Sequence, residues 1–240
     1  MSDKTLPEFP EADERGLAFH VAQTAVGAAD IAIPGAGYAL QQLVGHYVGA
    51  PLEKRREEWF RLVGSAILDL QESVEGFDPA SLSRNEEFIS CVYEATHLAM
   101  KTHREFKREA LKNAVLNIAL GLNLDETLRG RFMNCIDSFS GSHIRVLSVL
   151  QNPRSFEACT RAASSLYMGA QITVIRAEIS EQEVSPEVMG VIVADLVREG
   201  FIDGGLNTMV SGGSILAGRT TGTGNAFLRF VTAPGELATD

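Results

Sequence analysis

Residues Gly16 to Leu52 read GLAFHVAQTAVGAADIAIPGAGYALQQLVGHYVGAPL, a run with no Lys, Arg or Glu and a single acid, Asp30. Pro34-Gly35 interrupts it, because proline lacks a backbone donor and glycine leaves the chain free to turn. At helical spacing Phe19, Ala22, Val26, Ala29 and Ile33 share one face, while His20, Gln23, Thr24, Gly27 and Asp30 share another. Past the break, Leu40, Leu43, Val44 and Tyr47 stand opposite Gln41, Gln42, Gly45, His46 and Gly49. The stretch reads as an amphipathic, Gly/Ala-rich helical hairpin whose second helix is closed by Pro51.

A bilayer span needs about 20 predominantly apolar residues. Each half of the hairpin is shorter, and Asp30 at a bilayer centre would cost about 3 kcal/mol, so a permanent span is not expected. Two readings stay open. In one, the hairpin packs into a bundle, with Ala28/Ala32 and Gly45/Gly49 allowing close backbone approach. In the other, it is an interaction surface for a second copy, a protein partner or a membrane surface, followed directly by the basic and aromatic flank Lys54, Arg55, Arg56 and Trp59.

The remaining chain has the texture of a folded protein: 240 residues, 45% hydrophobic and 22% charged. A net charge of -10 argues against general binding to nucleic acid or anionic lipid, both polyanions. Three widely spaced cysteines, Cys91, Cys135 and Cys159, fit a reduced cytoplasmic protein better than a disulfide framework. Residues 1–15, acidic and with two prolines, read as a flexible arm and resemble neither a signal nor a transit peptide.

Apolar spacing predicts a helix over Glu53 to Glu75, carrying Trp59, Val63, Ile67, Leu70 and Val74. Ser83, three residues before Glu86, suggests a capping box for a helix from about Asn85 to Thr102. A further apolar run from Phe106 to Ile118 forms either a second helix or a continuation of that one. Asp125 caps a helix through about Phe139, and Ser142 to Gln151 and Phe156 to about Ala170 are also helical. Ile172 to Ile179 fits strand or helix alike. Ser185-Pro186 opens a helix that ends at Glu199-Gly200. A strand at Leu206 to Val210, the glycine-rich SGGSILAGRTTGTG and a last helix, NAFLRFV, complete the chain. The expected architecture is mainly α: an arm (1–15), a helical bundle with the amphipathic hairpin (16–140), and a C-terminal domain (141–240) of helices plus a small β-hairpin.

That last part resembles a winged-helix domain. The resemblance is carried by IRVLSVL as first helix, VIVADLVREGFI as third helix running into a strand, a wing from Asn207 to Thr221, and the closing GNAFLRFV. The whole chain more loosely resembles uncharacterised bacterial proteins that join a glycine-rich helical N-terminus to such a domain. The resemblance implies a third helix in the DNA major groove. Charge speaks against it: residues 154–240 hold six basic and ten acidic side chains, and Arg198 is the one base between Ser185 and Glu199. Phosphate contacts supply most affinity for DNA, so nucleic acid is not the expected partner.

Motifs that suggest chemistry are incomplete. Gly213-Ser-Ile-Leu-Ala-Gly218-Arg219-Thr220 has phosphate-loop spacing with Arg219 where lysine is required. Gly222-Thr-Gly224 lacks the third glycine of a dinucleotide site. Glu94-Ala-Thr-His97 has di-iron half-site spacing without a second copy. Cys91 and His97 lie on different helix faces, and Ser138, Ser140, Ser142 and His143 cluster, but adjacency in sequence makes no triad. No catalytic residue, metal ligand or cofactor site is expected. Lys101, Arg104, Lys107, Arg108 and Lys112 form the strongest basic concentration, read either as a solvated helix face interleaved with Glu105 and Glu109 or as a patch for an acidic partner.

The functional expectation is a non-enzymatic cytoplasmic protein acting by protein–protein contact, as a homo-oligomer or at a membrane surface, through the 16–52 hairpin. Phe19, Val26, Asp30, Ile33, Pro34, Gly35, Leu40, Leu43, Gly45, Tyr47 and Gly49, with the flank above, are its interaction residues. The alternative is a winged-helix transcription regulator whose N-terminal domain senses or dimerises.

Overall fold

A computed structural model describes the backbone of residues 49–235. The hairpin residues from Phe19 to Tyr47 lie outside them. The described chain is mainly α: α1 Gly49–Ser73, α2 Glu86–Lys101, α3 Glu105–Ala119, α4 Glu126–Ser138, α5 Gly141–Gln151, α6 Glu157–Ser164, α7 Gln171–Glu178, α8 Pro186–Arg198 and α9 Gly222–Val231. Two short strands, β1 Met168–Ala170 and β2 Met209–Ser211, pair antiparallel with Gly169 opposite Val210. Among the described residues no helix is long and apolar enough to cross a membrane.

Local sequence accounts for most of the helix ends. Asp125 accepts the Thr127 N–H at 2.9 Å, and Ser185 Oγ accepts the Val188 N–H at 3.4 Å with Pro186 in the first turn. Gly200, at φ 70°, follows α8 in the left-handed conformation that stops a helix. Three expectations shift. Pro51 does not close a helix: α1 already begins at Gly49, because a proline in a first turn removes a donor that has no acceptor there. Asn85, not Ser83, caps α2, its Oδ1 accepting the Phe88 N–H at 3.0 Å. Ser83 sits in a 3-10 turn over Pro79–Arg84 and donates to the Ala80 carbonyl.

The apolar stretches before and after THRE form two helices. Thr102 is extended at the end of α2, and its hydroxyl accepts the Arg104 N–H, so a local side-chain bond replaces a helical one. The ambiguous ITVIRAEI is helical. Val174 and Ile175 are fully buried on α7, and Gln171 donates from its amide to the Ala217 carbonyl. The expected helix through Ala170 ends at Ser164, and Met168–Ala170 is strand. The two strands are not neighbours in sequence: β2 pairs with β1 across α7 and α8, while an isolated bridge joins Ile202 to Thr220.

The chain divides between Leu62 and Val63, and the residues from Val63 onward form one compact unit. Packing within it runs across residue 140, where composition suggested a boundary. Asn113 on α3 donates to the Val231 carbonyl at 2.9 Å, and Asn117 one turn later reaches the carbonyls of Arg229, Phe230 and Thr232. The two amides thus close the C-terminal end of α9, whose last carbonyls have no partner within the helix. Around this junction Phe132, Phe139, Phe201, Phe227 and Phe230 form a buried aromatic cluster.

Candidate functional site

α8 has the sequence PEVMGVIVADLVR, in which apolar residues run nearly all the way round the helix. Met189, Ile192 and Leu196 are buried against the core. The opposite side is also apolar: Val188, Val191 and Val197 are 50%, 58% and 40% exposed, and Gly190 and Ala194 beside them are exposed as well. Glu187 and Arg198 stand at the ends of that side, and the partly exposed Asp195, paired with Arg198 at 2.8 Å, lies at its edge. An amphipathic surface helix presents polar residues to water, and contiguous exposed apolar surface marks a place of contact. Beside the helix runs an open groove of about 730 Å³, whose lining includes Ile172, Met189, Val193, Val197 and Leu206. Arg176, also on its wall, is occupied by the carbonyls of Val184 and Ser185.

α8 is fixed in place by an interaction invisible in sequence. His143 Nδ1 accepts the Ser140 N–H at 3.1 Å and lies 2.9 Å from Ser140 Oγ, while Nε2 lies 3.2 Å from Asp195 Oδ2. A ring nitrogen accepting a backbone N–H carries no proton, so the proton is on Nε2 and is donated to Asp195. Serine, histidine and aspartate are thus joined as in a hydrolase, but here Ser140 and His143 form the capping box of α5. Phe139 stacks on the imidazole at 4.5 Å. The arrangement closes a helix start and ties α5 to α8.

Burial holds the His143 pKa below its usual 6.5, against the opposing pull of Asp195. The folded state therefore binds fewer protons than the unfolded state between that depressed value and 6.5. Stability from this site is full above pH 6.5 and is lost as pH falls through the window, by at most about 1.4 kcal/mol per pH unit for one proton. Urea midpoints measured from pH 7.5 to 5 are expected to fall in this range. His143→Gln, which does not titrate, is expected to remove that component of the slope. A variant profile superimposable in slope on the wild type would refute the assignment.

The other sequence candidates resolve into structure. Glu94 faces the buried Arg129 at 3.7 Å, and His97 is exposed. Among the described residues no group of three or more ligating side chains could hold a metal. In the basic concentration, Lys101 and Lys107 both turn to Asp137, at its carboxylate and its carbonyl, and Lys112 pairs with Glu109. Arg104 supplies the N-cap position of α3, and Arg108 is half-buried. The glycine run is backbone packing. Gly212, Gly218 and Gly224 each leave no room for a Cβ beside a carbonyl of Leu166, Gln151 and Phe201 respectively, and Arg219 Nε lies 2.8 Å from Asp203. The thiols of Cys91, Cys135 and Cys159 are buried, which pushes them up to about 12, 12 and 11.

The flank after the hairpin is the part of that expected surface within reach. Lys54 lies 4.0 Å from Glu58, Arg56 lies 3.7 Å from Glu53 and over the Phe60 ring, and Arg55 is half-exposed. Trp59, expected as an interface anchor, is 1% exposed. At the third and fourth helical spacings it falls in register with Val63, which is also buried, so apolar spacing outweighs its position beside the basic residues. The α8 face was open to detection in sequence, since VMGVIVADLV holds more apolar residues than one buried stripe requires. The His143–Asp195 contact, between residues 52 apart, left no local signal. Family models, curated proteins and solved structures give no match to this chain.

Proposed function

We propose that this protein acts by protein–protein contact, with the outward face of α8 as a docking surface. The observation that carries this is the trio Val188, Val191 and Val197, exposed on one helix around Gly190 and Ala194. Full burial of such a side chain gives about 1.5–3 kcal/mol, and at 40–58% exposure roughly half of that is left for a partner to recover. Residues 16–52 are the second contact surface in this reading, serving self-association or a membrane surface.

The order α6, β1, α7, α8, β2, with β1 and β2 antiparallel, favours a winged-helix-like arrangement in which α6, rather than the IRVLSVL helix α5, stands first and α8 third. It supports a transcription regulator as the second reading. The α8 face offers phosphate a single base, Arg198, already 2.8 Å from Asp195, and so favours protein over DNA. Fluorescence anisotropy with duplex DNA at low salt separates the two.

The docking reading is tested by a photo-crosslinker at its centre. Because the native thiols are buried and held protonated, a thiol-reactive benzophenone will label a Val191→Cys variant at the introduced site. Irradiation in extract of the source cells, or at high concentration of pure protein, is expected to give a protein adduct. Adding Val188→Asp should abolish it, and Glu87→Cys on the polar start of α2 should give none. No adduct from position 191 under either condition would sink the proposal.

A further inference from the structure

We infer that the occupant of the α8 face is a second copy of this chain, packed with its own α8 antiparallel about a twofold axis. The inference rests on the docking reading above and names its partner. On the exposed side, Glu187, Val191, Ala194 and Arg198 follow one another at spacings of four, three and four, the alternation of threes and fours at which two helices pack along a common seam. The series reads the same in both directions, as a twofold contact requires, since each patch must meet its own copy.

An antiparallel copy centred between Ile192 and Val193 brings Val191 to Ala194 and Glu187 to Arg198 of the facing helix, with Val188 and Val197 on the two flanks of the seam. Both ends of the seam then carry opposite charges, and each pair occurs twice. A parallel copy would set Glu187 against Glu187 and Arg198 against Arg198, which like charges disfavour. Glu187 is prepared for its role: the Ser185 hydroxyl donates to its carboxylate at 2.8 Å, and hydrogen bonding holds its pKa below the usual range. Arg198 exchanges its present partner, Asp195 of the same helix, for the incoming carboxylate. Asp195 keeps His143.

The middle of the seam suits close approach. Ala194 is small, and the space where Gly190 would carry a Cβ has no heavy atom within 4 Å. Chains of net charge -10 repel at long range, so an almost uncharged face with its charges paired at the rim is the surface on which two copies meet with least repulsion.

Sedimentation equilibrium of the full chain over a concentration series tests this by charge exchange. The wild type is expected to show a monomer–dimer equilibrium. Glu187→Arg and Arg198→Glu, both exposed positions that leave the helical circular dichroism unchanged, should each raise the dimer Kd about tenfold, because two symmetric attractions become repulsions. The double exchange E187R/R198E should return it to within about threefold of wild type. A wild type that stays monomeric throughout, single exchanges without effect, or a folded double exchange that fails to recover would each overturn the inference. If position 191 still yields an adduct with a different protein, the docking face survives and only the second copy is wrong. If no adduct forms either, both readings fall.

Discussion

Gly224→Ala is expected to destabilise the protein by about 3 kcal/mol or more, a large share of the stability of a typical domain. A Cβ at this position would stand 2.2 Å from the Phe201 carbonyl oxygen and about 3 Å from the Phe201 carbonyl carbon and Cα. None of these atoms can rotate away, because they are backbone. The start of α9 is also pinned there: the Thr221 N–H donates to Phe201 O at 2.9 Å, and the Thr221 hydroxyl accepts the Gly224 N–H. Relief by moving α9 would therefore break its cap and shift Phe227 and Phe230 out of the core. Gly222→Ala is the internal control. Its Cβ meets nothing within 4 Å, and alanine is the better helix former, so urea unfolding should show no loss. Comparable midpoints for the two variants would show that the close approach at Gly224 is not what the sequence is selected to permit.

Phe227→Ala should cost about 4 kcal/mol, within the usual span for removing a buried phenylalanine. The ring is fully buried and is the hub of the aromatic cluster: stacked on Phe201 at 4.6 Å, and edge-on to Phe132 at 5.4 Å and Phe139 at 5.9 Å. Its removal leaves a cavity bounded by rigid rings that cannot collapse into it, which places the cost at the upper part of the range. Phe227→Leu, keeping most of the volume, should lose clearly less. Equal losses in denaturant titrations would mean that ring geometry matters more than cavity volume here.

The helices were legible in the sequence wherever a short-range device made them. Asp125, Ser185-Pro186 and Gly200 mark their ends by side-chain and backbone chemistry contained within one turn. The stretch Ile172 to Ile179 was not, because eight residues carry too few periods to separate strand from helix. Its state is decided by Val174 and Ile175 packing inward and by the Gln171 amide meeting Ala217. The glycine-rich run was visible as composition, yet its cause is tertiary. Gly218 is small because Gln151, 67 positions earlier, passes over it. The α8 face could be suspected from excess apolarity, whereas the contact of Asp195 with His143, which ties α8 to α5, leaves no local signal. Local chemistry writes the elements, and contacts between distant residues decide which face each one shows.

The amides of Asn113 and Asn117 carry a consequence for the order of events during synthesis. The bond from Asn113 to Val231 joins residues 118 apart, and the rings of Phe227 and Phe230 enter a cluster with Phe132, Phe139 and Phe201. Until α9 leaves the ribosome, the aromatic cavity stays open and the two amides face water. Loops this long close slowly, so the chain should acquire its helices early and its protection from proteases only once α9 has emerged. A stop codon a few residues before Thr232 would release not a shortened protein but one arrested with its core unclosed.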